Sequence, residues 1–183
     1  IKIYNFSLQY PNFLFPGATQ YSESPKPENI EILSKVNSIS PINWIKTGLE
    51  LKKLDLDLII VKYWLPFMSP CFGTILRLAK SNKKTKVICI IDNIVPHESR
   101  WMDRVLTQYF VNTVDGFIAM SDLTLKQLNK FDNHSPRKLS PHPIFDNFGK
   151  KIDKAKAIEN LGLDSQFNYF LFFGFIRDYK GLD

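Results

Sequence analysis

The apolar positions of this chain form short continuous runs that alternate with segments of helical periodicity. The runs of β-branched and aromatic residues that predict strands are Lys2–Leu8, Glu31–Ile39, Leu56–Tyr63, Lys86–Ile91 and Phe117–Met120. The segments that predict helices begin at Ser40, Ser69, Arg100 and Ser121. Strands that alternate with helices are typical of βαβ units with right-handed crossovers. The predicted fold class is therefore α/β, with a parallel sheet.

Three of the predicted helices have an apolar face, among them the helix that begins at Ser69, with Phe72, Ile75, Leu76 and Ala79 on one side. In the first helix, Ile42, Ile45 and Leu49 recur at helical spacing. In the helix predicted at Arg100–Thr113 the apolar face is wider and consists of Trp101, Met102, Val105, Leu106, Tyr109 and Phe110. Such faces are typical of helices that pack against a core.

The alternation of strands and helices stops at Leu139–Phe148, where two prolines flank a histidine and no helix or long strand fits. Beyond it, we predict a short helix at Asp153–Leu161, with Gly162 as its C′ residue, and a buried strand at Tyr169–Phe173. The predicted parts are a first domain at 1–140, a crossing at 141–152 and the start of a second domain at 153–183. The chain does not begin with Met and stops within an apparent loop, so we expect a piece cut at both ends, without the first strand of its first domain.

The stretch Thr85–Glu98 carries the first candidate site. Its apolar run ends at Asp92 and Asn93 and leads into a polar loop with His97 and Glu98. Because ligands of open α/β sheets bind at the carboxyl ends of strands, this cluster of polar side chains is a candidate ligand site. The alternative is a capped turn, in which Asp92 and Asn93 accept hydrogen bonds from nearby backbone N–H groups.

A second candidate site lies in the loop after the strand predicted at Tyr169–Phe173. Gly174 and Gly181 bound this loop, and Arg177 and Lys180 lie inside it. Glycine lets the backbone approach a ligand closely, and two cations at that place suit a diphosphate. The pattern is neither a Walker loop nor a GxGxxG fingerprint, so it predicts neither a P-loop NTPase nor a dinucleotide dehydrogenase. An ordinary exposed basic turn is the alternative.

Composition and charge narrow the classes of function. Hydrophobic residues make up 44% of the chain, as in a globular protein with a core, and the formal net charge is +6. The densest basic clusters are Lys83-Lys84-x-Lys86 and Lys150-Lys151-x-x-Lys154. They predict solvated helix ends and linkers, or else weak attraction to anionic lipid or phosphate. The diffuse charge lacks the basic stripe of a nucleic-acid binder.

The two cysteines, Cys71 and Cys89, fall at a helix start and inside a predicted strand, which is not a disulfide framework and suits a reducing cytoplasm. The spacing of Cys and His supports no metal site. No apolar run approaches the roughly 20 residues that span a bilayer.

Five segments of the chain, taken in order, carry a family resemblance. They are YWLPFMSP, DNIVPHE, VDGFIAMSD, PHPIFDNF and LFFGFIRDYKGLD. Together they resemble GT-B glycosyltransferases of family 4, also called the glycosyl transferases group 1 family, over nearly the whole chain. The resemblance implies two Rossmann-like domains, each a parallel sheet with helices on both faces, that meet across a cleft. The first domain would mainly hold the acceptor, and the second the nucleotide-sugar donor.

The resemblance also implies an activity. It is a retaining, metal-independent transfer of a sugar from a nucleotide sugar to a glycan, lipid-linked or small acceptor, without a further cofactor, as in the synthesis of cell-envelope polysaccharide. The residues implied near the transferred sugar are Asp92, Asn93 and His97. Those implied for the donor diphosphate are Gly174, Arg177, Lys180 and Gly181. Those implied on the acceptor side are Trp64, Phe67 and Glu98, with the early loop 10–17.

From its cysteines and its charge we expect a cytoplasmic protein with peripheral contact with the anionic inner face of the membrane, and without a nucleic-acid partner. The piece alone is expected to be inactive, because the cleft needs both of its walls. Two positions depart from the family pattern: Asp92 stands where many members have His, and Phe175 stands where a basic residue often follows the strand-end glycine. Two alternatives stay open. One is another GT-B enzyme, such as a sugar-nucleotide epimerase or a phosphorylase; the other, which the departures favour, is a non-catalytic glycosyltransferase-like partner protein.

Overall fold

The computed structural model describes residues 1–12, 15, 19–22, 25–95, 101–146 and 149–174. The chain separates into two compact units, residues 1–142 and residues 143–183. The first unit contains all the strands found in the described residues, and we describe each unit by itself.

The first unit alternates strands with helices, as the apolar pattern predicts. Its strands are β1 (Lys2–Leu8), β2 (Glu31–Asn37), β3 (Leu58–Tyr63), β4 (Lys86–Ile91), β5 (Gly116–Ala119) and β6 (Arg137–Leu139). Its α-helices are α1 (Pro41–Lys53), α2 (Ser69–Ala79), α3 (Trp101–Val111) and α4 (Asp122–Leu128). Single turns of 3₁₀-helix precede and follow α2, at Pro66–Met68 and Lys80–Asn82.

The strands form two parallel sheets, one of two strands in the order β1-β2 and one of four in the order β3-β4-β5-β6. The predicted α/β class, a parallel sheet flanked by helices, is confirmed. The outer edge of β2 is blocked by a side chain of α1: Asn43 accepts from the N–H of Asn37 at 2.8 Å and donates to the carbonyl of Lys35 at 2.9 Å. Such an arrangement protects an edge strand from pairing with another chain.

Serine residues mark the helix starts in two different ways. Ser40 and Ser121 cap α1 and α4, as predicted, and their hydroxyls accept from the N–H groups of Asn43 and Thr124. Ser69 was predicted to cap α2, and this is wrong. Ser69 is the first residue of α2, and its buried hydroxyl lies 2.8 Å from the hydroxyl of Tyr63. Pairing with Tyr63 satisfies both polar groups inside the core.

The main core lies between the four-stranded sheet and the helices. Tyr63 of β3 stacks on Phe110 of α3 with ring centroids 4.3 Å apart, and its hydroxyl also lies 3.2 Å from that of Thr107. Such a ring pair adds about 0.5–1.5 kcal/mol beyond the apolar area that it buries. Val87, Cys89 and Ile91 of β4 point into the same core, together with Phe117 of β5 and Leu128 of α4. Every second residue along each strand therefore packs against the helices and holds the helical layer on the sheet.

The helices of the first unit cover one face of the four-stranded sheet in the described residues. Residues of α2, α3 and α4 all belong to the core on the Tyr63 side. Because β3, β4, β5 and β6 succeed one another in one direction, right-handed crossovers place the connecting helices on one side. On the opposite face, Leu58 and Ile60 of β3 are exposed. The expected helices on both faces are thus seen on one face.

The apolar faces predicted for α1 and α3 point largely outward, which corrects the sequence analysis. The residues of α1 that are buried are Thr47, Gly48 and Leu51. Its predicted apolar face, Ile42, Ile45 and Leu49, is exposed. In α3, Phe110 is buried as predicted, whereas Trp101, Met102 and Val105 are exposed. The small residues Gly48 and Thr47 explain the orientation of α1, because they permit a close approach to α2 that larger side chains would prevent.

The second unit contains one helix in its described residues, α5 (Lys154–Asn160). Asp153 caps it by accepting from the N–H of Ala155 at 2.8 Å, and Gly162 follows with a φ of 63°, as predicted for a C′ glycine. The strand predicted at Tyr169–Phe173 is wrong. These residues form no strand in the described part of the second unit, and Phe170, Leu171 and Phe173 are exposed. A strand is stable only beside a hydrogen-bonded neighbour, and the described part of this unit offers none.

The short strand β6 was not predicted. It has three residues, two of them basic, so it carries no apolar run. It forms because its backbone extends the sheet beside β5. Among the described residues, no helix is both long enough and apolar enough to cross a membrane.

Candidate functional site

Four aromatic residues gather where β1 and β3 end. The indole N–H of Trp64 donates to the hydroxyl of Tyr10 at 2.7 Å. The ring of Tyr10 stacks near both Phe15 and Phe67, with centroids 6.3 Å away in each case. We call Tyr10, Phe15, Trp64 and Phe67 the aromatic cluster. Trp64 and Phe67 are half-buried, so the cluster belongs partly to the core and partly to the surface.

Backbone contacts hold Asp92 beside this cluster, at the carboxyl end of the neighbouring strand β4. Its N–H donates to the carbonyl of Tyr63, the residue before Trp64, at 3.1 Å. Its own carbonyl accepts from the hydroxyl of Thr124, at the start of α4, at 3.0 Å. Thr124 in turn donates its backbone N–H to the capping Ser121. Contacts with two elements, β3 and α4, therefore fix the main chain of Asp92.

The carboxylate of Asp92 has one engaged oxygen and one free oxygen. Its Oδ2 forms an ion pair with Lys62 of β3, at 2.9 Å from Nζ. Its Oδ1 is buried and has no hydrogen-bond partner among the described residues. A buried acceptor without a partner typically costs about 1–3 kcal/mol. Such an orphaned oxygen at the edge of a sheet is a ready acceptor for a ligand hydroxyl or N–H group.

Lys62 is a residue that the sequence analysis missed. It lies at the end of the apolar run of β3, opposite Ile90 of β4 in the register, and its side chain is half exposed. The sequence signal that could have identified Lys62 is that it is the single lysine near the carboxyl end of an otherwise apolar strand. An ion pair of this exposure contributes about 0–1 kcal/mol to stability, so its main effect is to orient the carboxylate of Asp92.

The structure brings some of the predicted site residues together. Asp92, Asn93, Trp64 and Phe67 all follow the ends of two neighbouring strands, β3 and β4, and Asn93 is half-buried. Gly174 lies in the second unit, exposed, with a φ of 127° that favours glycine. The remaining predicted site residues lie outside the described residues: His97, Glu98, Arg177, Lys180 and Gly181.

A separate cavity of about 420 Å³ lies over the β1–β2 sheet. Asn5 of β1, Ser34 of β2 and the loop residues Gln20 and Lys26 supply polar groups to its wall. None of the described residues predicted for the site lines it. It lies along β1 and β2 and reaches Gln9, the residue after the carboxyl end of β1, whereas the predicted site residues follow the carboxyl ends of β3 and β4.

The two cysteines are buried thiols of low reactivity at neutral pH. Both are free and buried. Burial raises the pKa of the Cys71 thiol to about 12 and holds the pKa of the Cys89 thiol well above its usual range, so neither forms the reactive thiolate at neutral pH. The described residues contain no group of three or more His, Cys, Asp or Glu side chains that could hold a metal ion.

Comparison with known proteins adds no relative: no protein-family model matches the chain, and no curated protein matches it significantly. The candidate site therefore stands on its own geometry: a positioned carboxylate at the end of β4, with one oxygen that has no partner among the described residues, and an aromatic cluster that includes residues after the neighbouring strand β3.

Proposed function

We propose that this chain belongs to a GT-B glycosyltransferase of family 4 and forms most of its acceptor-side domain. The reaction is the transfer of a sugar from a nucleotide sugar to a glycan, lipid-linked or small acceptor, with retention and without a metal. The observation that carries the proposal is the Oδ1 of Asp92 at the carboxyl end of β4, which is buried without a hydrogen-bond partner in the part of the chain that the structure describes.

The chemistry of this arrangement suits a sugar. A hydroxyl of the transferred sugar or of the acceptor would donate to Oδ1 of Asp92, which would satisfy both groups. Trp64 and Phe67 would pack against the apolar face of a sugar ring, as aromatic side chains commonly do in ligand sites. The anchoring of Asp92 by Tyr63 and Thr124 means that little reorganisation would be needed when the ligand binds.

The donor side of the proposal rests on the loop sequence alone. Arg177 and Lys180 would pair with the diphosphate of the nucleotide sugar and offset the charge that builds up on the leaving nucleotide. In a metal-independent enzyme these two cations would stabilise the negative charge of the diphosphate, which a bound divalent metal ion stabilises in metal-dependent enzymes.

The test is an assay of the intact protein that contains this chain against a panel of nucleotide sugars, with detection of the released nucleoside diphosphate. The double variant Arg177→Ala, Lys180→Ala should lose at least about 100-fold in kcat, on the order of removing one preorganised donor. The matched control is Lys150→Ala, Lys151→Ala, which removes two exposed charges from the same unit and should leave turnover unchanged.

Each outcome of this assay decides a question. Equal turnover by the wild type and the Arg177, Lys180 variant would show that the diphosphate assignment is wrong. If the products are epimerised nucleotide sugars, the protein is a sugar-nucleotide epimerase and not a transferase. If they are sugar phosphates, it is a phosphorylase. A folded protein that neither binds nor turns over any nucleotide sugar would favour a non-catalytic partner protein.

Asp92→Asn tests the acceptor-side assignment. Asparagine keeps the shape of the side chain but replaces one acceptor oxygen by a donor, so kcat/KM should fall about 10- to 100-fold if a substrate hydroxyl donates to Oδ1. The control is Asp57→Asn, an exposed carboxylate at the opposite end of β3, which should not change activity. Full activity of folded Asp92→Asn would exclude Asp92 from the site.

A further inference from the structure

The cavity of about 420 Å³ over the β1–β2 sheet has a floor of strand residues that point away from the core. Tyr4 and Phe6 of β1 pack against the core, so Asn5 between them directs its side chain to the other face. Ser34 of β2 lies opposite Asn5 in the register, and Ile32 lies two residues before it. Ligand pockets usually have volumes of about 300–1,000 Å³, so this cavity is large enough for a small ligand.

The connection between β1 and β2 forms the other wall of the cavity and is attached to the sheet at two places. The side chain of Gln20 accepts from the N–H of Tyr10 at 2.7 Å and donates to the carbonyl of Tyr10 at 2.7 Å. The hydroxyl of Tyr21 donates to the carbonyl of Ser7 at 2.6 Å. These bonds hold the wall over the outer face of β1. We call the residues of this wall, 20–22 and 25–27, the covering loop.

Three side chains of the lining have hydrogen-bonding groups that the protein leaves available. Asn5 accepts from the N–H of Phe6 at 2.8 Å through Oδ1, and its Nδ2 has no partner among the described residues. The amide of Gln9 and the hydroxyl of Ser34 likewise bond to no other described residue. Amide and hydroxyl groups can supply both donors and acceptors, as a ligand that carries several hydroxyls requires.

The charge of the lining limits the class of ligand. Lys26 is the one charged residue in the lining that the structure describes, and it is exposed without an ion pair to any described residue. One lysine can balance one negative charge, whereas sites for a diphosphate usually combine several cations or backbone N–H groups. The same lining contains no Asp, Glu or His, the usual groups for proton transfer. The cavity therefore suits binding of a singly charged ligand, not a reaction.

The remaining lining is apolar and partly made of rings. Tyr21, Pro25 and Pro27 of the covering loop face Ile32 of the floor across the cavity. Proline rings also fix the backbone φ on this side, which limits the conformations of the covering loop. A lining of rings with a few polar groups is typical of sites that hold a flat ligand with polar edges.

We propose that this cavity binds an acidic saccharide through a uronate unit. Lys26 pairs with the carboxylate, and Asn5, Gln9 and Ser34 exchange hydrogen bonds with the ring hydroxyls. The rings of the covering loop pack against the apolar face of the sugar. This inference goes beyond the proposed sugar transfer, because the binding requires no donor and the cavity shares no residue with the aromatic cluster or Asp92.

The experiment is an NMR titration of the ¹⁵N-labelled intact chain, without any nucleotide sugar. The probe is cellobiouronic acid, a disaccharide with one carboxylate. The side-chain amide signals of Asn5 and Gln9 and the backbone signals of the covering loop should shift and saturate. Cellobiose, the same disaccharide without the carboxylate, should bind about 5-fold more weakly, because one exposed ion pair is lost. Added salt should weaken binding of the acid and not of cellobiose.

Two variants test the residues of the cavity. Lys26→Gln should lower the affinity for cellobiouronic acid about 5-fold and leave that for cellobiose unchanged. Its matched control is Lys46→Gln, which removes the charge of an exposed lysine of α1 and should change neither. Ser34→Phe fills the cavity from its floor and should abolish the binding of both disaccharides. Its control is Ile60→Phe, which places the same ring at an exposed position of β3.

Other outcomes would overturn the proposal. Equal affinities for cellobiouronic acid and cellobiose would remove the acidic group from the recognised ligand. Saturating shifts of the same signals with acetate would show a site for a carboxylate and not for a saccharide. Shifts that leave Asn5, Gln9 and the covering loop unaffected would place the ligand elsewhere. If Ser34→Phe does not fold, Lys26→Gln decides. The Arg177→Ala, Lys180→Ala variant should bind like the wild type, so this result stands apart from that of the turnover assay.

Discussion

Burial controls the ionisation of two side chains in the core of the first unit. Burial raises the pKa of the Cys71 thiol to about 12 from an ordinary value of 9.0. It also raises the pKa of the Tyr63 hydroxyl to about 12 from 10.0, although the hydrogen bonds to Ser69 and Thr107 act in the opposite direction. Both groups therefore stay neutral in the folded protein at a pH where they ionise in the unfolded chain.

This difference predicts a loss of stability in alkali. Above pH 9 the unfolded chain releases the Cys71 proton while the folded protein retains it, so the free energy of unfolding falls until about pH 12. The slope is about 1.4 kcal/mol per pH unit for each such group. Urea unfolding between pH 8 and pH 10 measures it. Between pH 8 and pH 10 the unfolded thiol is on average half deprotonated, so in Cys71→Ser, which cannot ionise in this range, the mean slope should be shallower by about 0.7 kcal/mol per pH unit. An unchanged slope would contradict the assignment to Cys71.

At the candidate site, the sequence identified the strand end but not the contacts. Asp92 and Asn93 were found because an apolar run stops there, and the carboxyl end of a strand is a general place for ligands. The ion pair with Lys62 and the bond between Trp64 and Tyr10 could not be predicted, because each joins residues that are far apart in the sequence and that only the folded chain brings together. The periodicity of a single strand carries no information about its neighbour.

At the scale of elements, the turn between α4 and β6 depends on one ion pair. Arg137 donates to a side-chain oxygen of Asp132 at 2.8 Å and to its carbonyl at 2.9 Å, and it also donates to Asn129 at 2.7 Å. Burial acts to raise the pKa of Asp132, but hydrogen bonds from Ser135 and His134 and the charge of Arg137 lower it below its usual value. The two side chains of the pair are only 19% exposed, so solvent screens them little.

Asp132→Ala should therefore destabilise the first unit by about 2 kcal/mol, because it leaves the guanidinium of Arg137 partly buried without its partner. Urea unfolding at neutral pH measures the change. The matched control is Asp57→Ala, whose carboxylate is 89% exposed and pairs with Lys84; it should cause no measurable change. Equal effects of the two substitutions would show that the ion pair of the turn adds nothing beyond a surface pair.

The close crossing of α1 and α2 gives a second prediction at this scale. An alanine Cβ at residue 48 would meet Leu78 Cβ at 2.7 Å and the carbonyl of Ile75 at 2.9 Å. Overpacking of this kind costs about 1–3 kcal/mol, against a gain of up to about 1 kcal/mol from the better helix propensity of alanine. Gly48→Ala should lower the urea midpoint, whereas the neighbouring exposed Lys46→Ala should not. A midpoint that rises in Gly48→Ala would mean that the helices separate at little cost.

The elements of this fold differ in how far the sequence could predict them. The strands β1 to β5 and the starts of α1 and α4 follow from apolar runs and capping residues, which are local signals. The inward face of α1 does not follow from local signals. Its buried residues Thr47 and Gly48 allow close packing, whereas its apolar residues at helical spacing lie on the exposed side. The strand β6 shows that strand formation depends on a hydrogen-bonded neighbour, because its three residues contain no apolar run from which it could be predicted.

At the scale of the whole molecule, the first unit presents two separate features. The carboxyl ends of β3 and β4 carry the anchored Asp92 and the aromatic cluster, and the outer side of the helical layer carries the exposed apolar side chains of α1 and α3. The helical layer has two different sides because its inward side chains fill the core while its outward ones include Ile42 and Trp101. Substitutions on one feature should leave the other intact, since the exposed apolar side chains of the helices and the strand ends share no residue.

The division into two units predicts where a protease cuts first. Residues 143–146 and 149–153 have no regular structure, and Ile144 is 91% exposed, so trypsin should cut after Lys150 or Lys151. Other exposed lysines are protected: Pro27 follows Lys26, and the turn at Lys84 is held by the side chains of Asn82 and Asp55. Mass spectrometry of a brief digest should show a resistant product that ends at residue 150 or 151 and retains β1 to β6. A first cut after Lys83 or Lys84 would contradict the compactness of residues 1–142, because it would require β3 and β4 to separate before the segment around Lys150 is reached.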